Sequence, residues 1–156
     1  MTDRSILIYA RPDTVYPFIA DPIRMAEWSP ECVRCRWMGG AQKAEVGARF
    51  RGTSRNGRRR WTTTSTIADM RHDELFAWEV TYFGLPVARW EYRLEAEDAA
   101  VRLIEAVEDR RGRFLRAVSP FITGSPDRDS RNADTMETTL AAIKAAAEEP
   151  DRRHSP

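Results

Sequence analysis

The chain has 156 residues, 42% of them hydrophobic and 31% charged, a composition typical of one globular domain with its own core. Its net charge is only +1, from 25 basic and 24 acidic residues, so no general electrostatic attraction to nucleic acid is expected. The sequence has no run of about 18 apolar residues and no signal-peptide pattern, so we expect a cytoplasmic protein without stable membrane insertion.

The N-terminal part predicts one strand, two short helices and a second strand. Residues 5–10 form an apolar run that ends just before a proline, as a strand would. Residues 12–20 predict a short helix that starts at its proline, and residues 22–28 predict a second one. Residues 33–38 predict the next strand, which two glycines close.

A hairpin is predicted where Asn56 and Gly57 separate two alternating runs, because this pair suits a type I′ turn. The resulting register pairs Gly52 with Trp61, Phe50 with Thr63 and Ala48 with Ser65. Since side chains alternate along a strand, these residues should share the inner face of the sheet. The opposite face of this hairpin is rich in arginine and threonine.

Three further strands continue the alternation. Apolar residues recur at every second position from residue 76 to 82, from 88 to 94 and from 101 to 107, with Gly84-Leu85-Pro86 as the predicted turn between the first two. The inward side chains of these strands are Phe76, Trp78, Val80, Trp90, Tyr92, Leu103 and Glu105. Glu105 is the exception, since it is a carboxylic acid on an otherwise apolar face.

Two helices should complete the chain. Residues 110–122 have a helical spacing interrupted by Pro120 and predict a short helix or lid. A long helix is predicted from Ser125 to Glu149, with Ser125 as its N-cap. Its apolar stripe is Ala133, Met136, Leu140, Ile143 and Ala147. Residues 1–150 should form a single domain, ended by a proline, and residues 151–156 a disordered tail.

The order of these elements predicts an α+β fold in which a curved antiparallel sheet of about seven strands wraps around the long C-terminal helix, with two short helices near the N-terminus. In this order the chain resembles the helix-grip proteins of the START-like, or SRPBCC, superfamily, which includes polyketide cyclases/dehydrases and lipid-transport domains. The matching segments are Asp21-Pro22, Glu27-Trp28-Ser29-Pro30-Glu31, residues 47–57 with Trp61, Phe76-Ala77-Trp78, Trp90-Glu91-Tyr92 and residues 105–112.

The resemblance implies a cavity between sheet and helix that binds a small, mainly apolar molecule: aromatic, polyketide-like or a lipid. Two classes stay open, a cyclase/dehydrase-like enzyme and a carrier or sensor that only binds. Catalysis in such a cavity would use general acid/base groups without a metal or an organic cofactor. The chain should be a monomer or homodimer. The candidate ligand-binding residues are Phe50, Trp61, Thr63, Ser65, Phe76, Trp78, Trp90, Tyr92, Leu103, Met136 and Leu140.

Glu105 is the candidate catalytic residue, because desolvation on an apolar face raises the pKa of a carboxyl group toward neutrality. The alternative is a structural ion pair between Glu105 and a basic residue of the following segment, such as Arg113 or Arg116. A protein-interaction module that uses the basic sheet face is a third function class. The sequence alone does not decide among these alternatives.

Three other features have a plain structural interpretation beside a functional one. Cys32 and Cys35 have a metal-ligand or redox spacing, but the only histidines are His72 and His154, too few for a zinc site. His72 is expected in a solvated loop. A basic cluster, Arg55, Arg58, Arg59 and Arg60, lies at the predicted hairpin tip and is read as solvated, with contact to RNA or anionic lipid as the alternative.

Overall fold

A seven-stranded antiparallel sheet and a long C-terminal helix dominate the computed structural model, which describes residues 1–149. The strands are β1 (Thr2–Ile8), β2 (Cys32–Met38), β3 (Arg49–Asn56), β4 (Arg59–Arg71), β5 (Leu75–Tyr82), β6 (Leu85–Glu97) and β7 (Ala100–Asp109). The helices are α1 (Pro12–Ile19), α2 (Met25–Trp28), α3 (Arg113–Thr123) and α4 (Arg128–Glu148), with a 3₁₀ turn at Pro22–Arg24. The strand order is β1-β7-β6-β5-β4-β3-β2.

This arrangement confirms the predicted α+β helix-grip fold. The long helix α4 packs mainly on β1 at one edge of the sheet, and α1 and α2 also contact it. Helix α4 ends at Glu148, one residue before the predicted end, and Pro150 and the predicted disordered tail lie outside the described residues. None of the helices within residues 1–149 is long and apolar enough to span a bilayer.

The hairpin between β3 and β4 forms, but its predicted turn was wrong by one position. The two turn residues are Gly57 and Arg58, and positive φ occurs only at Gly57, which is the pattern of a type II′ turn. Asn56 stays in the strand, where its side-chain amide donates a 2.9 Å hydrogen bond to the carbonyl of Thr123. The pairs are therefore Phe50 with Ser65, Gly52 with Thr63 and Ser54 with Trp61. Each partner moves by two residues, so the inward face is as predicted.

The predicted turn between β5 and β6 was also displaced. It consists of Phe83 and Gly84, and both have positive φ, of 48° and 79°, as a type I′ turn requires. Leu85 and Pro86 belong to β6 instead. Positive φ is sterically unfavourable for a residue as bulky as Phe83. Its side chain is also 90% exposed.

Helix α4 begins at Arg128, two residues later than predicted, because the N-cap is Asp127 rather than Ser125. Its N-cap is Asp127, whose carboxylate accepts a 3.1 Å hydrogen bond from the Ser130 amide. Ser125 instead donates its hydroxyl to the Asp127 carbonyl. The inner stripe is as predicted, since Ala133, Met136, Leu140 and Ile143 are buried and Ala147 is partly buried. Leu140 and Ile143 of this stripe pack in the main apolar core with Ile8 of β1.

Candidate functional site

A cavity of about 490 Å³ lies between the concave face of the sheet, helix α3 and the first half of α4. Residues of all seven strands line it, mostly because alternation directs every second side chain of a strand toward this face. Eight of the sequence-predicted site residues line it: Phe50, Trp61, Thr63, Ser65, Trp78, Trp90, Tyr92 and Glu105.

Four predicted site residues lie outside this lining. Phe76, Leu103, Met136 and Leu140 are at most 2% exposed. Phe76, Leu103 and Leu140 belong to the main apolar core, and Met136 packs in a smaller cluster with Ala88 and Val107. The structure therefore places these four side chains in the supporting core rather than on the cavity surface.

The floor of the cavity is formed by aromatic side chains of the paired strands β5 and β6. Trp78 and Trp90 face each other in register, and their rings stack nearly parallel, at 9°, with centroids 6.3 Å apart. The Tyr92 ring lies 5.6 Å from that of Trp78. Aromatic rings in this arrangement present a flat apolar surface to a ligand and hold each other in place.

Among residues 1–149, Glu105 is the only carboxyl group on this floor. It pairs across the sheet with Tyr92, is 4% exposed, and receives a hydrogen bond from the Tyr92 hydroxyl. Its second oxygen, Oε2, has no hydrogen-bond partner among the described residues. Burial raises the pKa of Glu105 to about 8, and the Tyr92 hydrogen bond only partly opposes this shift. The group is therefore a neutral acid at neutral pH, able to donate or exchange a proton.

The predicted alternative, an ion pair between Glu105 and the following basic segment, was wrong. The Arg116 guanidinium is engaged elsewhere: its Nη2 lies 3.8 Å from Oδ2 of Asp109, and its Nε donates a hydrogen bond to the carbonyl of Arg111. Within residues 1–149 no ion pair joins Arg113 to Glu105. The pKa of Tyr92 is also raised well above its usual value, first by burial and then by the neighbouring Glu105 charge.

The mouth of the cavity holds a second buried carboxylate with a different environment. Glu31, before β2, accepts two hydrogen bonds from Arg128, of 3.1 and 3.0 Å, and one of 2.9 Å from Arg131. Burial would raise the pKa of this carboxyl, but the hydrogen bonds and charges of both arginines lower it. Arg128 also lies 5.7 Å from the Trp61 ring centre. This cluster fixes the start of α4 to the sheet.

Helix α3 forms the lid that the sequence predicted. It turns Ser119 and Thr123 toward the cavity and leaves Phe114 and Phe121 largely exposed. Its C-terminal end is held by the β3–β4 hairpin, because Arg59 donates a 2.7 Å hydrogen bond to the Phe121 carbonyl. One member of the basic cluster thus has a structural role. Arg55 hydrogen bonds to the turn itself, and Arg58 and Arg60 are exposed.

Both cysteines also line the cavity, with their sulfur atoms 3.7 Å apart. No group of three or more potential metal-ligating His, Cys, Asp or Glu side chains occurs in the described part of the chain. His72 is exposed beside Asp73, as expected of a loop residue, and His154 lies outside the described residues. Sequence reasoning missed several other lining residues: Met25, Ser29, Glu31, Ser54, Val87, Ser119, Thr123, Arg128, Asn132 and Thr135.

Five of the missed residues come from the lid and from the start of α4: Ser119, Thr123, Arg128, Asn132 and Thr135. Their contribution depends on how two helices close over the sheet, which no local pattern encodes. Val87 is different, because the β5–β6 pairing shifts by one residue beside it and alternation fails there. One feature of the sequence could have indicated the mouth of the cavity. Glu31 is an acidic residue in a segment that matches the family, and two arginines, Arg128 and Arg131, lie at the start of the predicted long helix.

Comparisons with known proteins agree with this geometry. A family model described as polyketide cyclase/dehydrase and lipid transport matches residues 2–148. The solved Polyketide_cyc-like protein Cgl2372 of Corynebacterium glutamicum is 28% identical, with a TM-score of 0.61 over 98% of this chain and 94% of that one. A search of curated proteins found no match.

Two more distant structures share the fold. Major latex-like protein 151 of Panax ginseng has a TM-score of 0.72 at 10% identity, over 95% of this chain and 97% of its own. The di-domain ARO/CYC protein StfQ from the steffimycin biosynthetic pathway has a TM-score of 0.71 at 12% identity. The match covers 94% of this chain and 50% of StfQ. At these identities the likeness concerns the fold alone.

Proposed function

The chain belongs to the polyketide cyclase/dehydrase and lipid-transport family, and we propose that it binds a small, mainly apolar molecule in the cavity between the sheet and α4. The ligand is aromatic, polyketide-like or a lipid. One observation carries the proposal: stacked indole rings and a buried carboxyl group with a free oxygen line the same cavity. Such a combination of an apolar wall and one polar group is typical of a ligand site.

The proposed chemistry is proton transfer by Glu105. A neutral carboxyl group can protonate a carbonyl oxygen of a bound ligand, and the resulting carboxylate can accept a proton from an adjacent carbon. Tyr92 would hold the carboxyl group in position. The apolar surroundings of Glu105 support this role because a carboxyl group with a pKa near 8 is matched to proton exchange at neutral pH.

A carrier or sensor that only binds is the second candidate. It would use the same aromatic wall, and the free oxygen of Glu105 would then bind a polar group of the ligand without exchanging a proton. The proposal places the protein in the cytoplasm in either case. The small apolar ligand is its proposed partner.

Binding can be tested with N-phenyl-1-naphthylamine, an apolar dye whose fluorescence rises in an apolar site. Replacing Trp78 or Trp90 with alanine removes ring contacts of roughly 1.5 kcal/mol or more, so the dissociation constant should rise about tenfold. Arg58→Ala is the matched control, because Arg58 is exposed at the hairpin turn. Equal effects of all three variants would indicate adsorption to the surface and would contradict cavity binding.

Catalysis can be tested without the natural substrate by following deuterium incorporation into 2-tetralone, an aromatic ketone with exchangeable α-protons. If Glu105 transfers protons, Glu105→Gln should slow this exchange about 100-fold while ligand affinity changes little. Unchanged exchange, with the dye still bound in the cavity, would support the carrier and remove the catalytic role.

A further inference from the structure

The two cysteines face the same way because of a defect in β2. In a regular strand, residues three positions apart point to opposite faces of the sheet. The pairing of β2 with β3 shifts between Cys32 and Arg34, so that Val33 is an extra residue, a β-bulge. Cys32 then lies opposite Ser54 and Cys35 opposite Gly52. The bulge thus directs both thiols into the cavity, where otherwise only one would point.

The pair has the contacts of an activated thiol. The two sulfur atoms are 3.7 Å apart, within hydrogen-bond distance for sulfur, and Cys32 is the more accessible of the two. The Cys35 hydrogen bond lowers the pKa of Cys32, burial opposes this, and the backbone N–H of Arg34 adds to the lowering. The same hydrogen bond and burial raise the pKa of Cys35. Either sulfur can donate the hydrogen bond between them, and Cys32 is the thiol that a ligand can reach because Cys35 is buried.

This thiol shares the cavity with the acid on its floor. Cys32, Tyr92 and Glu105 all line the cavity, and the charge of Cys32 contributes to the raised pKa of Tyr92. A nucleophile and a neutral acid in one apolar cavity form a complementary pair, since the first attacks an electrophilic carbon and the second can protonate the oxygen that gains charge.

We propose that Cys32 is a nucleophile that forms a covalent adduct with apolar α,β-unsaturated carbonyl compounds bound in the cavity, and that Cys35 is its positioning residue. The inference rests on the proposed function, because it requires that the cavity bind apolar carbonyl compounds. It extends that function by naming a chemical class of ligand and a second reactive group.

The step balances without an oxidant or a cofactor. The Cys32 thiol first loses its proton to solvent. The thiolate sulfur then forms a bond to the β-carbon of the ligand, the alkene π pair becomes a π bond between the α-carbon and the carbonyl carbon, and the carbonyl π pair moves to the oxygen to give an enolate. The neutral carboxyl of Glu105 protonates this oxygen. Tautomerisation moves this proton from the oxygen to the α-carbon, which gains one hydrogen as the carbonyl re-forms, and Glu105 recovers its proton from water.

Trans-chalcone, a two-ring enone, is a suitable probe for the full-length protein, and intact-protein mass spectrometry measures the adduct. We expect one equivalent, located on Cys32 by peptide mapping, formed about tenfold faster than the chalcone adduct of free glutathione at the same pH. Cys32→Ser should form no adduct at this rate. Cys35→Ala should move the pH midpoint of the adduct rate upward, because the thiolate loses its donor. A merely structural role of Cys35 would leave this midpoint unchanged.

Dihydrochalcone, which lacks the reactive double bond, separates failure of this inference from failure of the proposed function. We expect it to bind reversibly and to protect Cys32 from chalcone. If it displaces the naphthylamine dye but chalcone gives no adduct, or labels Cys32 no faster than glutathione, the nucleophile is wrong and the binding function stands. If dihydrochalcone neither displaces the dye nor protects Cys32, both proposals fail.

Discussion

The floor and the mouth of the cavity each bury one glutamate, and the two differ in almost every property except burial. Glu105 on the floor is 4% exposed and Glu31 at the mouth is 7% exposed. Glu105 has one hydroxyl partner and a raised pKa, whereas Glu31 has two arginine partners and a lowered pKa. One carboxyl is neutral at neutral pH and the other is charged.

The difference teaches that burial alone does not make a carboxyl group a candidate for catalysis. Desolvation acts on both groups in the same direction, and the neighbours decide the outcome. Glu31 forms ion pairs with Arg128 and Arg131 of α4, so its charge stabilises the packing of this helix. Glu105 lines the cavity without such a partner, and its Oε2 has no hydrogen bond among the described residues, so its proton is available to a ligand.

The largest expected effect tests the scaffold that both glutamates require. Leu140→Asp would place a charge on the buried stripe of α4, where Leu140 is 2% exposed. An unpaired charge in this position costs several kcal/mol, so the domain should unfold at 25 °C. Ala141→Asp is the matched control, because Ala141 is the exposed neighbour on the same helix. A cooperative thermal transition of Leu140→Asp, followed by circular dichroism, would show that the stripe is not buried.

The next effect concerns the mouth. Glu31→Gln removes the charge that Arg128 and Arg131 share, and breaking a buried ion pair costs on the order of 3 kcal/mol. Urea unfolding at neutral pH should therefore show a clear loss of stability. Glu27→Gln is the control, since Glu27 pairs with Arg24 at the surface. If both variants were equally stable, the mouth cluster would contribute nothing to the fold.

The next prediction concerns the floor: the raised pKa of Glu105 should make the stability of the protein depend on pH. Folded Glu105 keeps its proton up to about pH 8, whereas the unfolded group loses it near the usual value of 4.5. The folded state therefore binds more protons between these values, and the free energy of unfolding should fall as pH rises through this range, by on the order of a few kcal/mol. Glu105→Gln should lack this component and be the more stable protein at pH 8. Parallel pH profiles of the two proteins would contradict the assignment.

The sequence predicted the floor far better than the mouth, for a physical reason. Side-chain alternation has a period of two, so Phe50 and Trp78 were placed inward although the β3–β4 register was off by two residues. Glu105 and Tyr92 followed from the same alternation. The bulge at Val33 broke this rule, and no local pattern indicated it. The partners of Glu31 lie about a hundred residues away in the chain and appear only when α4 packs.

The smallest expected effect is on the lid. Arg59→Ala removes the hydrogen bond from the hairpin to the Phe121 carbonyl, a loss comparable to one ordinary hydrogen bond. Amide hydrogen exchange in α3 should then accelerate about fivefold, while exchange in β7 stays unchanged. Arg58→Ala is the control at the adjacent turn position. Equal exchange in both variants would mean that the hairpin does not hold the lid.

The contrast between the two glutamates is tested most directly by carbon-13 NMR of the side-chain carboxyl groups in glutamate-labelled protein, titrated from acid to alkaline pH. Glu105→Gln and Glu31→Gln assign the two signals. The Glu105 carboxyl should titrate at about pH 8, and that of Glu31 below the usual value of 4.5. A Glu105 carboxyl that titrates near 4.5 would be charged at neutral pH, and it would contradict the neutral acid on which the proposed proton transfer depends.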